Sequence, residues 1–347
     1  MAQATPPAAW TPPTNPSPAP SPRGGGGGSG LATALAAVAI VIALVALALN
    51  FVVPGPTGSA GPTGQAGGVS WAVVNHNGTL VYANGATAAV NKSTGTYQVT
   101  FSADVSGCAL VATVGLAGSV GQAGPSVASV TPVSGNSHAV QVSVTNITST
   151  LPTAAGFSVV AVCSPSLFAV VGTGGGVIHG NGAVSATTPG TGVYNVTFNQ
   201  YVSNCSFLAT PATTGIVTVA NALKSPASVI VTTWSEAGAA TDLSFNLVVL
   251  CGNSNNWAVV SSTGVEARGT SNGTEALGGA GAFQVNITAY AYNCAVIGTL
   301  GLSAAGTPVP GEITYAGRND QYHAFFIATS DLSGTETPEP FHFGAFC

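Results

Sequence analysis

The sequence predicts an all-β protein: three tandem small antiparallel β-sandwich or barrel domains, preceded by one transmembrane helix and a disordered tail. Three observations carry this. Trp71, Phe168 and Trp257 each open a Trp/Phe-Ala-Val-Val stretch, a cysteine follows each after 37 residues (Cys108, Cys205, Cys294), and a second cysteine closes each unit (Cys163, Cys251, Cys347). Recurrence at a period of about 90 residues marks one structural unit used three times. Before each first cysteine, Tyr97-x-Val99-x-Phe101, Tyr194-x-Val196-x-Phe198 and Phe283-x-Val285-x-Ile287 alternate apolar with polar residues, the pattern of a strand with one buried face. Residues 31–53 form an uncharged apolar run.

Taken in order, residues 1–30 are rich in Pro, Ala, Thr and Ser and end in a glycine run at 24–28. Such a segment buries too little to offset chain entropy, so it reads as a disordered Pro/Gly-rich cytoplasmic tail. Its prolines suit either an SH3-type ligand or a plain spacer. The 23 residues of 31–53 would span about 35 Å as a helix, enough to cross a hydrocarbon core of roughly 30 Å. Pro54 stops that helix. Arg23 places the N-terminus inside by the positive-inside rule. A cleavable signal peptide, cut after Ala46-Leu47-Ala48, is the alternative. Residues 54–69 follow as a collagen-like Gly-x-x linker, with glycine at every third place from Gly55 to Gly67. Two readings stay open there: a flexible juxtamembrane linker, or part of a homotrimer if the chains also associate elsewhere.

The β repeats are expected at 70–164, 165–252 and 253–347. Asn77-Gly78, Asn84-Gly85, Asn181-Gly182 and Asn272-Gly273 are hairpin turn signals. A phenylalanine stands six residues before each closing cysteine (Phe157, Phe245, Phe341), an even step that puts it on the cysteine's side of the strand. Short linkers between repeats suggest a semi-rigid rod.

Two cysteines per repeat at matched positions, with no Cys-x-x-Cys, argue for disulfides rather than zinc. The register pairs Cys108 with Cys163, Cys205 with Cys251 and Cys294 with Cys347. Each bridge restricts the unfolded chain by roughly 4 kcal/mol in the chain-entropy model. Disulfides imply an oxidising compartment, so the repeats lie outside the cell. Only 4% of residues are charged, against about 25% in an ordinary domain. Five basic residues in all exclude an electrostatic nucleic-acid footprint. A surface so poor in carboxylates gives acid little to protonate.

The chain at this point resembles an uncharacterised cysteine-paired β repeat of bacterial, actinobacterial-type, collagen-like surface proteins. Trp257-Ala258-Val259-Val260, Cys294-Ala295, Pro310-Gly311-Glu312-Ile313, Gly317-Arg318 and Pro340-Phe341-His342-Phe343 carry the match. The first two repeats keep the aromatic and cysteine frame but lack Pro-Gly-Glu and Gly-Arg. The resemblance implies surface display and brings no activity with it.

The chemistry-bearing residues form no catalytic pattern. His76, His138, His179, His323 and His342 show no metal spacing, and Gly-x-Ser-x-Gly is absent. We therefore expect no enzyme, no cofactor and no metal. His342 lies between Phe341 and Phe343 and should face outward if both rings face in. Repeat three holds nine of the fifteen charged residues. Its stretch Arg318-Asn319-Asp320-Gln321-Tyr322-His323 is the best candidate for polar or carbohydrate contact, through Arg318, Asp320, Tyr322 and His323. Seven Asn-x-Ser/Thr sequons occur, of which Asn195 and Asn286 fall on outward strand positions and are the candidate glycosylation sites. The expected function is a single-pass plasma-membrane protein displaying three extracellular, disulfide-stabilised β domains for a structural or adhesive role. The alternative is a module that binds carbohydrate or cell envelope through repeat three. The partners implied are the membrane, and a cell-envelope glycan or surface protein.

Overall fold

The computed structural model describes residues 68–252, 256–319 and 321–347. The expected tail, the expected membrane helix and nearly all of the expected collagen-like linker lie outside them. Among the described residues no helix is long and apolar enough to cross a membrane.

The described chain is all-β. Repeat one contributes β1 (Val69–Val74), β2 (Leu80–Asn84), β3 (Ala86–Ser93), β4 (Thr96–Phe101), β5 (Ala109–Val120), β6 (Ser126–Val133), β7 (Asn136–Asn146) and β8 (Phe157–Val162). Repeat two contributes β9 (Leu167–Val171), β10 (Val177–Asn181), β11 (Ala183–Gly190), β12 (Val193–Phe198), β13 (Ser206–Pro211), β14 (Ile216–Asn221), β15 (Ser228–Trp234) and β16 (Phe245–Leu250). Repeat three contributes β17 (Asn256–Val260), β18 (Glu266–Gly269), β19 (Thr274–Ala276), β20 (Ala282–Asn286), β21 (Ala295–Ala305), β22 (Glu312–Arg318), β23 (Gln321–Ser330) and β24 (Phe341–Phe346).

One pairing scheme recurs. In repeat one the order β5-β8-β1-β2 makes an inner sheet and β3-β4-β7-β6 an outer sheet. First and last strands lie side by side, as Trp71 does with Val160. The alternation read in the sequence is visible in β4 and β12, whose residues switch between buried and half-buried at every step. Phe157, Phe245 and Phe341 are fully buried. Their rings meet Tyr97, Tyr194 and Phe283 at centroid distances of 5.0, 5.0 and 5.2 Å, so each repeat closes its core on one equivalent aromatic pair. The disulfides Cys108–Cys163, Cys205–Cys251 and Cys294–Cys347, which the register predicts, tie the residue before β5, β13 or β21 to the residue after the last strand.

The repeats do not form a rod. The described residues of all three repeats belong to one compact unit. A fourth apolar cluster gathers inner-sheet residues from all three repeats, including Trp71, Val111, Phe168, Leu208, Trp257 and Ile297. The opening aromatics of the sequence frame thus pack between repeats. The outer edge β14 of repeat two pairs in parallel with β21 of repeat three, Val219 opposite Gly301. A Cβ at Gly301 would overlap the Val219 carbonyl, so this approach requires glycine. The outer edge β22 of repeat three pairs in parallel with β5 of repeat one, Tyr315 opposite Gly115. Each junction fuses two sheets into one of eight strands.

Polar contacts run round the same cycle. Thr113, Thr210 and Thr299 each stand five residues after a first cysteine. Thr210 Oγ1 accepts the Ala112 N–H at 2.9 Å and donates to the Ala112 carbonyl at 3.2 Å. Thr299 clasps Ala209 in the same way at 2.8 and 3.2 Å, and Thr113 clasps Gly298 at 2.9 and 3.2 Å. Five residues before each closing cysteine stand Ser158, Asn246 and His342. Asn246 accepts the Leu110 N–H at 3.1 Å, His342 Nδ1 the Phe207 N–H at 2.9 Å, and Ser158 the Val296 N–H at 3.0 Å. Three different side chains thus fill one role.

His342 corrects the expectation of an outward histidine. It does point away from its own sandwich core, but the neighbouring repeat covers that face and leaves it 0% exposed. Its ring stacks on Phe207 at 5.1 Å, and Nε2 reaches the Leu302 carbonyl at 3.3 Å.

Candidate functional site

Repeat three carries the surface with the most recognition chemistry. β22 and β23 form a hairpin whose tip pairs Arg318 with Gln321. Tyr322 and His323 lie just beyond the turn, and Ile287 N–H donates to the His323 carbonyl, anchoring that strand against the end of β20. A 3-10 turn at Ala291–Asn293 then leads into Cys294, whose disulfide pins it.

This arrangement gathers a cluster of rings. Tyr290 and Tyr322 stack at 5.6 Å with 15° between planes, and Tyr292 leans on both at 5.7 and 6.1 Å. His323 stands edge-on to Tyr290 at 6.3 Å. Tyr290 and Tyr322 are 44% and 53% exposed, so the stacked pair presents ring area to solvent. His323 Nδ1 lies 2.7 Å from the Ala289 carbonyl. A carbonyl only accepts, so Nδ1 carries a proton and donates to it, which leaves Nε2 as the ring nitrogen free to meet a ligand. The Tyr292 hydroxyl donates to the Arg318 carbonyl at 2.8 Å. A Cβ at Gly317 would meet the Tyr292 ring at 2.8 Å, which gives the Gly-Arg pair a local reason: glycine admits the tyrosine.

Arg318 is half-buried, with Nε enclosed and without a hydrogen-bond partner. It lines an open groove of about 390 Å³ with Val120, Gly121, Gln122, Gly317 and Asn319, next to the ring cluster. Of the four residues the sequence singles out, Tyr322 and His323 come together, Arg318 joins them through its backbone, and Asp320 lies outside the described residues. Sequence reasoning missed Tyr290 and Tyr292. Their alternation in Ala289-Tyr290-Ala291-Tyr292 just before a cysteine was the available signal.

The Pro-Gly-Glu motif lies elsewhere. Glu312 is 4% exposed. It faces a cavity of about 50 Å³ lined by equivalent segments of all three repeats, Thr113, Thr210 and Thr299 among them. Burial raises its pKa to about 8, against hydrogen bonds from Ser330 and the Ser126 backbone. Its Oε2 is enclosed without a partner. Asn195 is half-buried with an enclosed, unpartnered Oδ1, and Asn286 Oδ1 accepts from Gln284 Nε2 at 2.9 Å. Among the described residues no three His, Cys, Asp or Glu side chains gather as a metal site. No protein-family model, no curated protein and no solved structure matches this chain.

Proposed function

We propose that the chain is a membrane-anchored cell-surface protein with a structural or adhesive role, its β head held outside by one helix at residues 31–53. The observation that supports this most directly is the construction of the head. Three disulfides and a cyclic set of buried inter-repeat hydrogen bonds suit a body that must persist outside the cell. The resemblance to the cysteine-paired repeat of collagen-like surface proteins agrees with it. Because one chain already completes a three-part cycle, we read the Gly-x-x triplets as a spacer; a homotrimer held by those triplets is the other possibility. In intact cells, a tag before Met1 should resist external protease while a tag after Cys347 is digested. A mature N-terminus just beyond Ala48 would overturn the anchor.

One observation favours the second reading, carbohydrate or envelope binding through repeat three. Exposed stacked tyrosines accept the C–H face of a sugar ring, and His323 Nε2 beside them supplies a hydrogen-bonding group for its hydroxyls. A glycan array with the whole chain and with Tyr322→Ala tests it. Loss of a defined signal in the variant supports the reading, and equal or absent signals refute it.

A further inference from the structure

The tip that carries the ring cluster in repeat three has counterparts in the other two repeats. Tyr290 stands four residues before Cys294, as Tyr201 does before Cys205 and Asp104 before Cys108. Seven residues before their cysteines, Ile287 N–H donates to the His323 carbonyl and Phe198 N–H to the Ala227 carbonyl, which makes Pro226 the counterpart of Tyr322. Val202 N–H donates to the Pro226 carbonyl at 2.8 Å and Val105 N–H to the Ser137 carbonyl at 2.9 Å, so Ser137 completes the set. One pair of positions is therefore filled three ways: Tyr290 with Tyr322, Tyr201 with Pro226, and Asp104 with Ser137. In repeat one the pair is closed on itself, because the Asp104 carboxylate takes hydrogen bonds from Ser106 and Ser137.

The tip of repeat two is open instead. Tyr201 is 79% exposed, and Leu223, on the turn between β14 and β15, is 81% exposed, the highest values for large apolar side chains among the described residues. Both segments are held in place. Val202 and Ser203 N–H groups donate to the Pro226 carbonyl, and Asn221 Nδ2 donates to the Ser203 carbonyl, lacing the Tyr201 loop to the turn that carries Leu223. The disulfide at Cys205 pins the end of that loop. A ring on a fixed loop loses little freedom when a ligand stacks on it. Across residues 199–204 and 222–227, Lys224 is the only charged side chain. Single exposed apolar residues are ordinary, but here a tyrosine, a proline and a leucine share one tip.

We propose that the tip of repeat two is a second ring-stacking subsite, and that the head grips one polymeric glycan through the tips of repeats two and three together. This rests on the carbohydrate reading of repeat three and names the ligand as a polymer rather than a single sugar. The threonine clasps close the repeats into a cycle about one axis. Rotation keeps equivalent points at one height, so Tyr201 and Tyr290 lie at the same level and one extended chain can cross both. Tyr201 takes the C–H face of one sugar, bordered by Pro226 and Leu223, and the Tyr290–Tyr322 pair takes that of another. Two weak contacts on one polymer then bind as an intramolecular pair.

The test uses the full chain in detergent. The probes are immobilised chitin, glucan, mannan and peptidoglycan, each with its own disaccharide in solution. Retention on at least one polymer is expected. Tyr201→Ala and Tyr322→Ala should each weaken it by roughly tenfold or more. Tyr201→Trp keeps a ring and should retain binding, and Leu223→Ser probes the same tip without touching Tyr201. Loss in Tyr322→Ala with no change in Tyr201→Ala would overturn the second subsite and leave the repeat-three reading standing. Displacement of the polymer by disaccharide at equal sugar concentration would also overturn the shared grip. No retention on any polymer, or retention unchanged in both alanine variants, would overturn the repeat-three reading as well.

Discussion

His342 Nδ1 receives the amide proton of Phe207 across the boundary between repeats three and two, at 2.9 Å. That bond requires a neutral imidazole. Burial, with repulsion from the Arg268 guanidinium, lowers the pKa to about 3. The unfolded chain binds this proton near the ordinary value and the folded chain does not. Stability is therefore complete above about pH 6.5 and declines as pH falls toward 3, by at most about 1.4 kcal/mol per pH unit. His342→Asn, which installs the residue that Asn246 uses in the same role, should flatten melting temperature between pH 6.5 and 4. An unchanged slope would place the acid sensitivity elsewhere. The nearly uncharged surface is thus an incomplete guide to acid behaviour, because this group is interior.

Glu312 has the opposite sign. Its folded pKa of about 8 lies above that of an unfolded glutamate. The folded state holds the extra proton, so stability is full below about pH 4.5 and falls as pH rises through 8. Glu312→Gln keeps the shape without the charge and should melt higher than the native chain at pH 8.5. Scanning calorimetry across pH 5 to 9 reads the crossover. Equal curves throughout would mean that the cavity is wetter than its walls suggest.

Thr210→Val preserves volume and removes the clasp on Ala112. It leaves a buried N–H and a buried carbonyl without their partner, at about 1–3 kcal/mol for each unsatisfied group. Denaturant unfolding should show a clear loss of stability, with the Thr113 and Thr299 equivalents behaving alike. A near-neutral result would show that water replaces the hydroxyl.

Phe245→Ala removes half of the Tyr194–Phe245 pair and should cost about 3–5 kcal/mol. Because the repeats share one inner cluster, the loss should lower a single cooperative transition. Separate melting of repeat two would refute that coupling.

The strands before each first cysteine and the disulfides were legible because they follow local signals: the alternation around Tyr97 and Tyr194, and the fixed step from aromatic to cysteine. Of the four turn signals only Asn77-Gly78 joins paired strands; those at 84–85, 181–182 and 272–273 carry the chain from one sheet to another. What escaped was the second face of the inner sheets. The closing strand Phe245-Asn246-Leu247-Val248-Val249-Leu250 is buried at every position, its alternate residues facing two different cores. A nearly unbroken apolar run, where an exposed sheet would alternate, was the sign that the repeats pack on one another. His342 was misread for the same reason: the period of two gives the face, but not what covers it. The candidate contact stretch was half legible. Charge density pointed to Tyr322 and His323, while the uncharged Tyr290 and Tyr292 arrive from the segment that leads into Cys294.

Three equivalent roles filled by Ser158, Asn246 and His342 have an evolutionary meaning. In an assembly of identical subunits, each substitution appears at every symmetry-related place and must be tolerated at all of them. Carrying the three copies on one polypeptide lifts that restriction. One copy can shed a strand extension, another can acquire a ring cluster at its tip, and the remaining positions keep the body intact.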